Sequence, residues 1–519
     1  MQILDSVAEP RVVVLHPDDD VAIARTPLVA GRAVDADGHG AVVAREAIPV
    51  GHKMALCAIS AGAPVHRYGQ VIGFATTNIA PGAHVHTHNL GVADLERDYA
   101  FGVDGHPVDI VPQGERRTFQ GYIRHDGRVG TRNTIALIAS VNCSAHTTRR
   151  IAERARAELL PDFPFVDDVV ALTHKNGCGT RFGGPEIAML QRTLAGFARH
   201  PNVAGFVLVS LGCEINQLGP LIESQTLYMP GEERRLPPMV MLQEEGGVAA
   251  TIERGVAAVA QLLPAANHAR RTTVDASALT VALQCGGSDG WSGITANPAL
   301  GYACDLIVQQ GGTVVLSETP EIYGAEHLLT RRAVSPAVGR KLVERIEWWQ
   351  DYTGRNGFEM DNNPTPGNKA GGLTTIYEKS LGAVAKAGTT PLVDVLEYAY
   401  PIQKHGFVYM DTPGYDPVAV TGQVAGGCNI VAFTTGRGSC FGFKPAPSIK
   451  IASNSEMYGR MQPDMDINVG RILDGATIQE VGAEIFELLL RVASGEPSKS
   501  EAQGIGEEEF NPWIIGATM

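Results

Sequence analysis

From Gly121 onward the chain alternates apolar runs of strand length with segments of helical spacing, and such a chain is confined to layered α/β architecture around mostly parallel sheet. The runs at 134–141, 168–173, 205–211, 239–242, 280–284 and 313–316 read as buried strands, because a parallel sheet is covered on both faces. Helical spacing follows at 147–160, 248–263 and 298–310, and Pro185 sits where the first turn of a helix tolerates it. Farther on, 332–353 predicts an amphipathic helix, 392–396, 429–433 and 448–452 predict strands, and 478–493 a closing helix.

Before Gly121 the pattern is different. Short β-like stretches broken by Gly and Pro contain an internal echo at 47–51, 58–62 and 78–82, each an apolar residue followed by a tight turn. At 519 residues the chain exceeds one ordinary core. The expected units are a small all-β module over 1–95, a polar linker over 96–120, a central α/β domain over 121–331 and a C-terminal α/β domain over 332–519.

Acidic residues outnumber basic ones, 56 to 42, and the net charge of -14 disfavours nucleic acid, whose binding depends on Lys and Arg neutralising phosphates. No apolar run approaches the roughly 18 residues a membrane helix needs. The start, MQILDSVAEPRVVV, lacks the basic, apolar and small-residue regions of a secretory signal, so a cytoplasmic protein is expected. Eight cysteines without a CxxC pair suggest neither a disulfide framework nor a zinc ribbon.

Polar and soft-ligand residues cluster just after the strands. Ligands of open parallel sheets bind beyond the carboxyl ends of the strands, so Cys143, Cys178, Cys213 and Cys285, with His174, Glu214, Ser288 and Asp289, are expected to share one crevice. A lone buried cysteine is ordinarily a small hydrophobe, and Cys57, Cys304, Cys428 and Cys440 are assigned to packing. The common phase of the other four argues for ligation. His84, His86 and His88 alternate, so an extended segment puts them on one face, and His52 follows the matching turn of the first echo. A divalent-metal site and a solvated edge strand both satisfy that pattern. The Gly-rich loops 363–372 and 434–438 each present one cation, Lys369 and Arg437, and neither matches a P-loop or dinucleotide fingerprint. Arg437 suits a forked grip on a carboxylate; Lys369 suits a point charge or, when desolvated, a base.

Five longer motifs carry a resemblance: GRVGTRN at 127–133, GCE at 212–214, CGGSD at 285–289 with SGITANP at 292–298, PGNKAGG at 366–372 and TTGRG at 434–438. Over nearly the whole chain they resemble the altronate/galactarate dehydratase family. The resemblance implies an N-terminal SAF module of β-clip fold and dehydration of a hexonate or hexarate to a 2-keto-3-deoxy acid. It also implies dependence on Fe2+, with Mn2+ or an iron-sulfur cluster as alternatives. The run His84-Val85-His86 with His88-Asn89 is closer to altronate dehydratases, which implies D-altronate as substrate and 2-dehydro-3-deoxy-D-gluconate as product. Galactarate dehydration, a lyase acting on another 2-hydroxy acid such as sulfolactate, and a metal- or sugar-acid-binding protein without turnover are the alternatives. On this reading the metal lies on Cys143, Cys178, Cys213 and Cys285, on His52, His84 and His86, or on both sets. Ser288, Asn368, Lys369 and Arg437 contact the substrate, His174 and Lys369 serve as base and acid, and Glu214 and Asp289 are further catalytic carboxylates. The expected partner is a small sugar acid, with neither nucleic acid nor membrane, and a homodimer is the base-rate expectation.

Overall fold

The alternation after Gly121 resolves into two parallel sheets. The first has four strands in the order Asp168–Leu172, Thr134–Ala139, Val203–Ser210, Met239–Met241. The second has seven, in the order Leu392–Leu396, Gly406–Met410, Thr313–Leu316, Thr280–Cys285, Ile430–Thr435, Ser448–Ala452, Ile467–Asn468. Central strands such as Thr134–Ala139 and Ile430–Thr435 are buried at every position, as their unbroken apolar runs require. The computed structural model describes residues 11–519 apart from 37, 94, 96, 98, 232, 233 and 517, so the reading of the first ten residues lies outside it. Among the described residues no helix is long and apolar enough to cross a membrane.

The expected boundary at 331/332 is corrected by this topology. Thr280–Cys285 and Thr313–Leu316 lie in the middle of the seven-stranded sheet, so a division there would cut a single sheet in two. The change of sheet occurs earlier, where Thr272–Asp275 pairs antiparallel with Thr118–Ile123 and ends the run of the first sheet. The helix expected at 332–353 begins instead at Pro336, because the Ser335 side chain accepts from the Val338 amide and Pro336 fills the first turn; it continues to Arg355.

One helix escapes sequence pattern. Ile376–Val384 is buried at every residue, so no polar face marks its period. It carries two adjacent charges, Glu378 and Lys379, which on a helix project in different directions.

The N-terminal module is all-β, and its echo has four members: Leu28 pairs with Ile48 and Ile59 with Ile79. Each of these residues is followed three positions later by a glycine at φ near +80°, namely Gly31, Gly51, Gly62 and Gly82. A turn with positive φ there favours glycine, which is why the echo is visible in the sequence. The module docks on the second sheet through a wholly buried ion group. Lys53 Nζ lies 2.7 Å from Glu378 Oε1 and donates to the Gly372 carbonyl at 2.6 Å, while Arg67 pairs with Glu378 and donates to the Gly290 carbonyl at 2.9 Å. Burial alone would raise the Glu378 carboxyl, but Lys53 and Arg67 beside it hold it down to about 2.

Glu378→Gln leaves two buried cations without their counter-charge and is expected to cost about 3–5 kcal/mol in denaturant unfolding. The pH dependence has a definite sign. The Glu378 pKa is depressed from 4.5 to about 2, so its stabilisation is complete at neutral pH, weakens as pH falls below about 4.5 and is gone near pH 2. Acid unfolding of Glu378→Gln is expected to lack that component.

Candidate functional site

The strand that closes the N-terminal module against the second sheet carries the histidines. His84–Val85 pairs antiparallel with Lys53–Ala55, which sets His84 opposite Met54 and beside His52. One ring nitrogen from each of His52, His84 and His86 lies within 4.8 Å of the other two, and the three ring centroids are 4.9 to 5.3 Å apart. His52 Nδ1 is 3.0 Å from His84 Nε2, and His52 Nε2 is 3.3 Å from the Ala370 carbonyl. Burial, with His52 and His88 close by, lowers His84 to about 4, and burial with Lys53 alongside lowers His86 to about 3; burial also lowers His52. All three are therefore neutral near pH 7, the form that binds a metal. His86 Nδ1 is buried without a hydrogen-bond partner, so the donor set fits a divalent ion. His84–Val85 is an edge strand, as one reading of the alternation expects, with His84 and His86 partly buried; His88, exposed on the rim, stands outside the trio.

The Gly-rich loops close on the same place. Gly290 donates to the Gly371 carbonyl at 2.8 Å, and an added Cβ at Gly290 or at Gly372 would collide with the Gly51 carbonyl, one residue before His52. The short helix Pro366–Ala370 is fixed by a capping box between Thr365 and Asn368, and Asn368 Nδ2 donates to the Ser288 carbonyl at 2.8 Å. Gly436 and Arg437 both donate to the Gly287 carbonyl, and a Cβ at Gly371 would lie 3.1 Å from Arg437 Cδ. The loop bearing Lys369 thus reaches His52 through the Ala370 carbonyl and packs against the loop bearing Arg437, and neither cation has an ion-pair partner among the described residues.

Asp289 is also here, but as an organiser. Its buried carboxylate accepts from the Ser292 amide at 2.9 Å and hydroxyl at 2.8 Å, from Ser453 Oγ at 2.9 Å and from Asn454 Nδ2 at 3.0 Å. That leaves it holding the 287–293 loop against 453–454.

Beneath the loops lies a group of buried charges that sequence reasoning missed. Lys386 Nζ donates to Cys285 Sγ at 2.7 Å and stands 3.8 Å from Glu318, while Lys379 donates to Glu321 at 2.6 Å and to Asn363 Oδ1 at 2.9 Å. Asn363 lines a cavity of about 460 Å³ shared with Thr365, Gly414 and Tyr415. Burial, then Glu321 nearby, holds the Glu318 carboxyl well above its ordinary range, and both its oxygens lack a hydrogen-bond partner. Glu318 also has φ of 68°, a left-handed conformation rare outside glycine. Strain and an unsatisfied buried carboxyl in one residue mark a functional position. Burial likewise pushes Asp416 up to about 6 and Cys285 to about 11. Cys285, Glu318 and Glu321 have the spacing of metal ligands, but Lys379 and Lys386 already supply their positive partners. Ser317-Glu318 at a strand end was visible in the sequence; the lysines were hidden in the fully buried 376–384 helix and the turn after it.

The expected single crevice of four cysteines is corrected. Cys143, Cys178 and Cys213 are exposed at the carboxyl end of the four-stranded sheet, whereas Cys285 is buried in the other sheet against Lys386. The strands share a phase but not a sheet. His174 and Glu214 go with the first sheet, and both are engaged. His174 Nε2 meets the Ala139 carbonyl at 2.9 Å, Nδ1 accepts from the Asn176 amide at 3.1 Å, and burial lowers the ring to about 4. Glu214 accepts from Ser140 Oγ at 2.5 Å and the Gly212 amide at 2.6 Å. A cavity of about 740 Å³ at the opposite, amino end of these strands, near Arg128 and Arg199, touches none of the predicted residues.

Comparison with known proteins agrees with this layout. An altronate dehydratase of Bacillus subtilis (strain 168) is 35% identical over 93% of this chain and 95% of its own. The chain belongs to the galactarate/altronate dehydratase family. Family models match in three consecutive parts: the altronate/galactarate dehydratase SAF domain at 10–93, the D-galactarate dehydratase/altronate hydrolase second domain at 121–267, and the D-galactarate/altronate dehydratase C-terminal region at 276–518. Within the family, a galactarate dehydratase (L-threo-forming) of Escherichia coli (strain K12) is 39% identical over 90% of each chain. An altronate dehydratase of the same organism is 35% identical over 95% of this chain and 97% of its own. The protein is accordingly a sugar-acid dehydratase, a hydro-lyase.

Asp289→Asn puts an amide nitrogen among hydrogen-bond donors and is expected to cost about 1–3 kcal/mol of stability. Because the Asp289 carboxylate is enclosed by the groups it holds, the pH dependence of kcat is expected to keep its shape; a lost limb in that profile would make it a proton carrier.

Proposed function

We propose that this dehydratase converts D-altronate to 2-dehydro-3-deoxy-D-gluconate with one Fe2+ held by His52, His84 and His86. The observation that supports the proposal is the convergence of three neutral imidazoles, one with an orphaned ring nitrogen, against a loop that carries Lys369 and packs on the loop of Arg437. Such an ion, when bound, supplies Lewis-acid stabilisation of charge developing on the substrate's oxygens. Nitrogen donors suit iron or manganese.

Arg437 grips the substrate carboxylate through its fork and stabilises the negative charge that grows there as C2 loses its proton. Lys369, half-buried on the adjacent loop, takes that proton after the incoming substrate desolvates it and its own proton has passed to solvent. Glu318 donates a proton to the departing C3 hydroxyl, a role for which its burial keeps it protonated. Ser288 and Asn368 hold the loop edge against the sugar-acid chain.

Turnover of a panel of hexonates and hexarates with Fe2+, followed as 2-keto-3-deoxy product, is expected to be fastest with D-altronate; fastest turnover of galactarate would overturn the substrate assignment. His84→Gln is expected to lose bound iron and activity together. Arg437→Gln is expected to raise KM at least tenfold, since it removes a charged bidentate contact worth about 1.5–3 kcal/mol. Glu318→Gln replaces a neutral acid by a neutral amide, so stability is expected to hold while kcat falls about 10²- to 10⁴-fold. Unchanged kcat would remove Glu318 from the mechanism.

A further inference from the structure

The four-stranded sheet carries an organised set of groups that dehydration at the histidine site leaves without a task. Its strands Asp168–Leu172, Thr134–Ala139 and Val203–Ser210 are adjacent and parallel, and the loops leaving their carboxyl ends each deliver one exposed thiol: Cys178, Cys143 and Cys213. Free cysteine is among the most buried of residue types, so three exposed thiols at one end of one sheet need a reason.

The loops are held to one another before anything binds. Asn142 donates to the Asn176 carbonyl at 3.0 Å, Asn216 donates through its amide to Gly177 at 3.1 Å, and Asn216 Nδ2 reaches the Ser140 carbonyl at 2.9 Å. His174 and Glu214 spend their polar atoms on the same framework, buried beneath it. Gly177, at φ of +100°, packs where any Cβ would strike the Ser140 carbonyl and Val141. The fourth strand, Met239–Met241, contributes Gln243, whose Nε2 donates to Cys213 Sγ at 3.2 Å. A donor aimed at sulfur stabilises a metal-bound thiolate and tunes its potential. Thr173 Oγ1 and Thr180 Oγ1, on the loop that bears Cys178, are buried without partners.

The spacing selects the ligand. Thiolates on one ion, each about 2.3 Å from it, lie no more than about 4.6 Å apart. The three sulfurs do not all close to within 4.8 Å of one another, as the imidazole nitrogens do. A cuboidal cluster spreads its corner irons, and with them their thiolates, more widely. We propose that Cys143, Cys178 and Cys213 hold an iron-sulfur cluster of the [4Fe–4S] class, whose fourth iron has no thiolate from this set. It is a second inorganic site, separate from the histidines.

The test uses the full chain purified without oxygen, with iron and acid-labile sulfide measured and the absorption and electron paramagnetic resonance spectra recorded. The expected content is about four sulfides per chain, with a broad visible absorption that bleaches on reduction. Cys143→Ser, Cys178→Ser and Cys213→Ser are each expected to lose most of the sulfide while keeping the far-UV circular dichroism of the parent. The exposed Cys57→Ser is expected to keep it all. His84→Gln is expected to retain sulfide while losing mononuclear iron, so failure here is separable from failure at the histidines. Absence of labile sulfide, a stoichiometric zinc ion in its place, or sulfide surviving in the serine variants would overturn the proposal.

Discussion

The ion group formed by Lys53, Arg67 and Glu378 is the constraint on which the arrangement of the site depends. Its side chains have no access to water, so each charge must find its partner inside the protein, and only one seating of the N-terminal module brings the two cations to Glu378. That seating places His52 against the Ala370 carbonyl and the Gly51 carbonyl into the space left by two glycines. The histidine face of one module and the Gly-rich loops of another become a single surface because a salt bridge behind them closes in one way.

The helix Ile376–Val384 joins this constraint to the chemistry. Glu378 faces the N-terminal module; its neighbour Lys379 faces Glu321, Asn363 and the buried charges under the seven-stranded sheet. A helix places successive residues about a quarter-turn apart, so two adjacent charges can serve two separate networks. Burial then does different things to different carboxyls. Glu378, between two cations, is held well below the usual carboxylate range, while burial and nearby Glu321 push Glu318 well above it. The same low-dielectric interior moves two carboxyls in opposite directions within one layer of the fold.

The two sheets present different chemistry at their strand ends. Both follow the rule that ligands gather beyond the carboxyl ends of parallel strands. The seven-stranded sheet presents oxygen and nitrogen groups with cations, suited to holding an acid. The four-stranded sheet presents sulfur on loops laced by asparagine side chains. Cys285 shares its place in the strand-to-loop pattern with the other three thiols, yet its neighbours are Lys386 and Glu321, and in that setting it is a buried thiol.

Much of this was legible in the order of residues. Buried parallel strands announce themselves as unbroken apolar runs, positive-φ turns as recurring glycines, and a shared strand face as alternating histidines, because each is a local consequence of backbone geometry. The Gly-rich loops bearing Lys369 and Arg437 were legible for the same reason. What the order of residues left open was everything that depends on which segments meet: that Thr280–Cys285 joins later strands and leaves Cys285 apart from Cys143, Cys178 and Cys213, that His174 and Glu214 serve a loop framework, and that Lys379 and Lys386 lie under the site. Pairing between distant strands and the burial of a charge are properties of the assembled interior. Local periodicity carries no record of them, since a helix buried on all sides looks the same whether its charges meet water or one another.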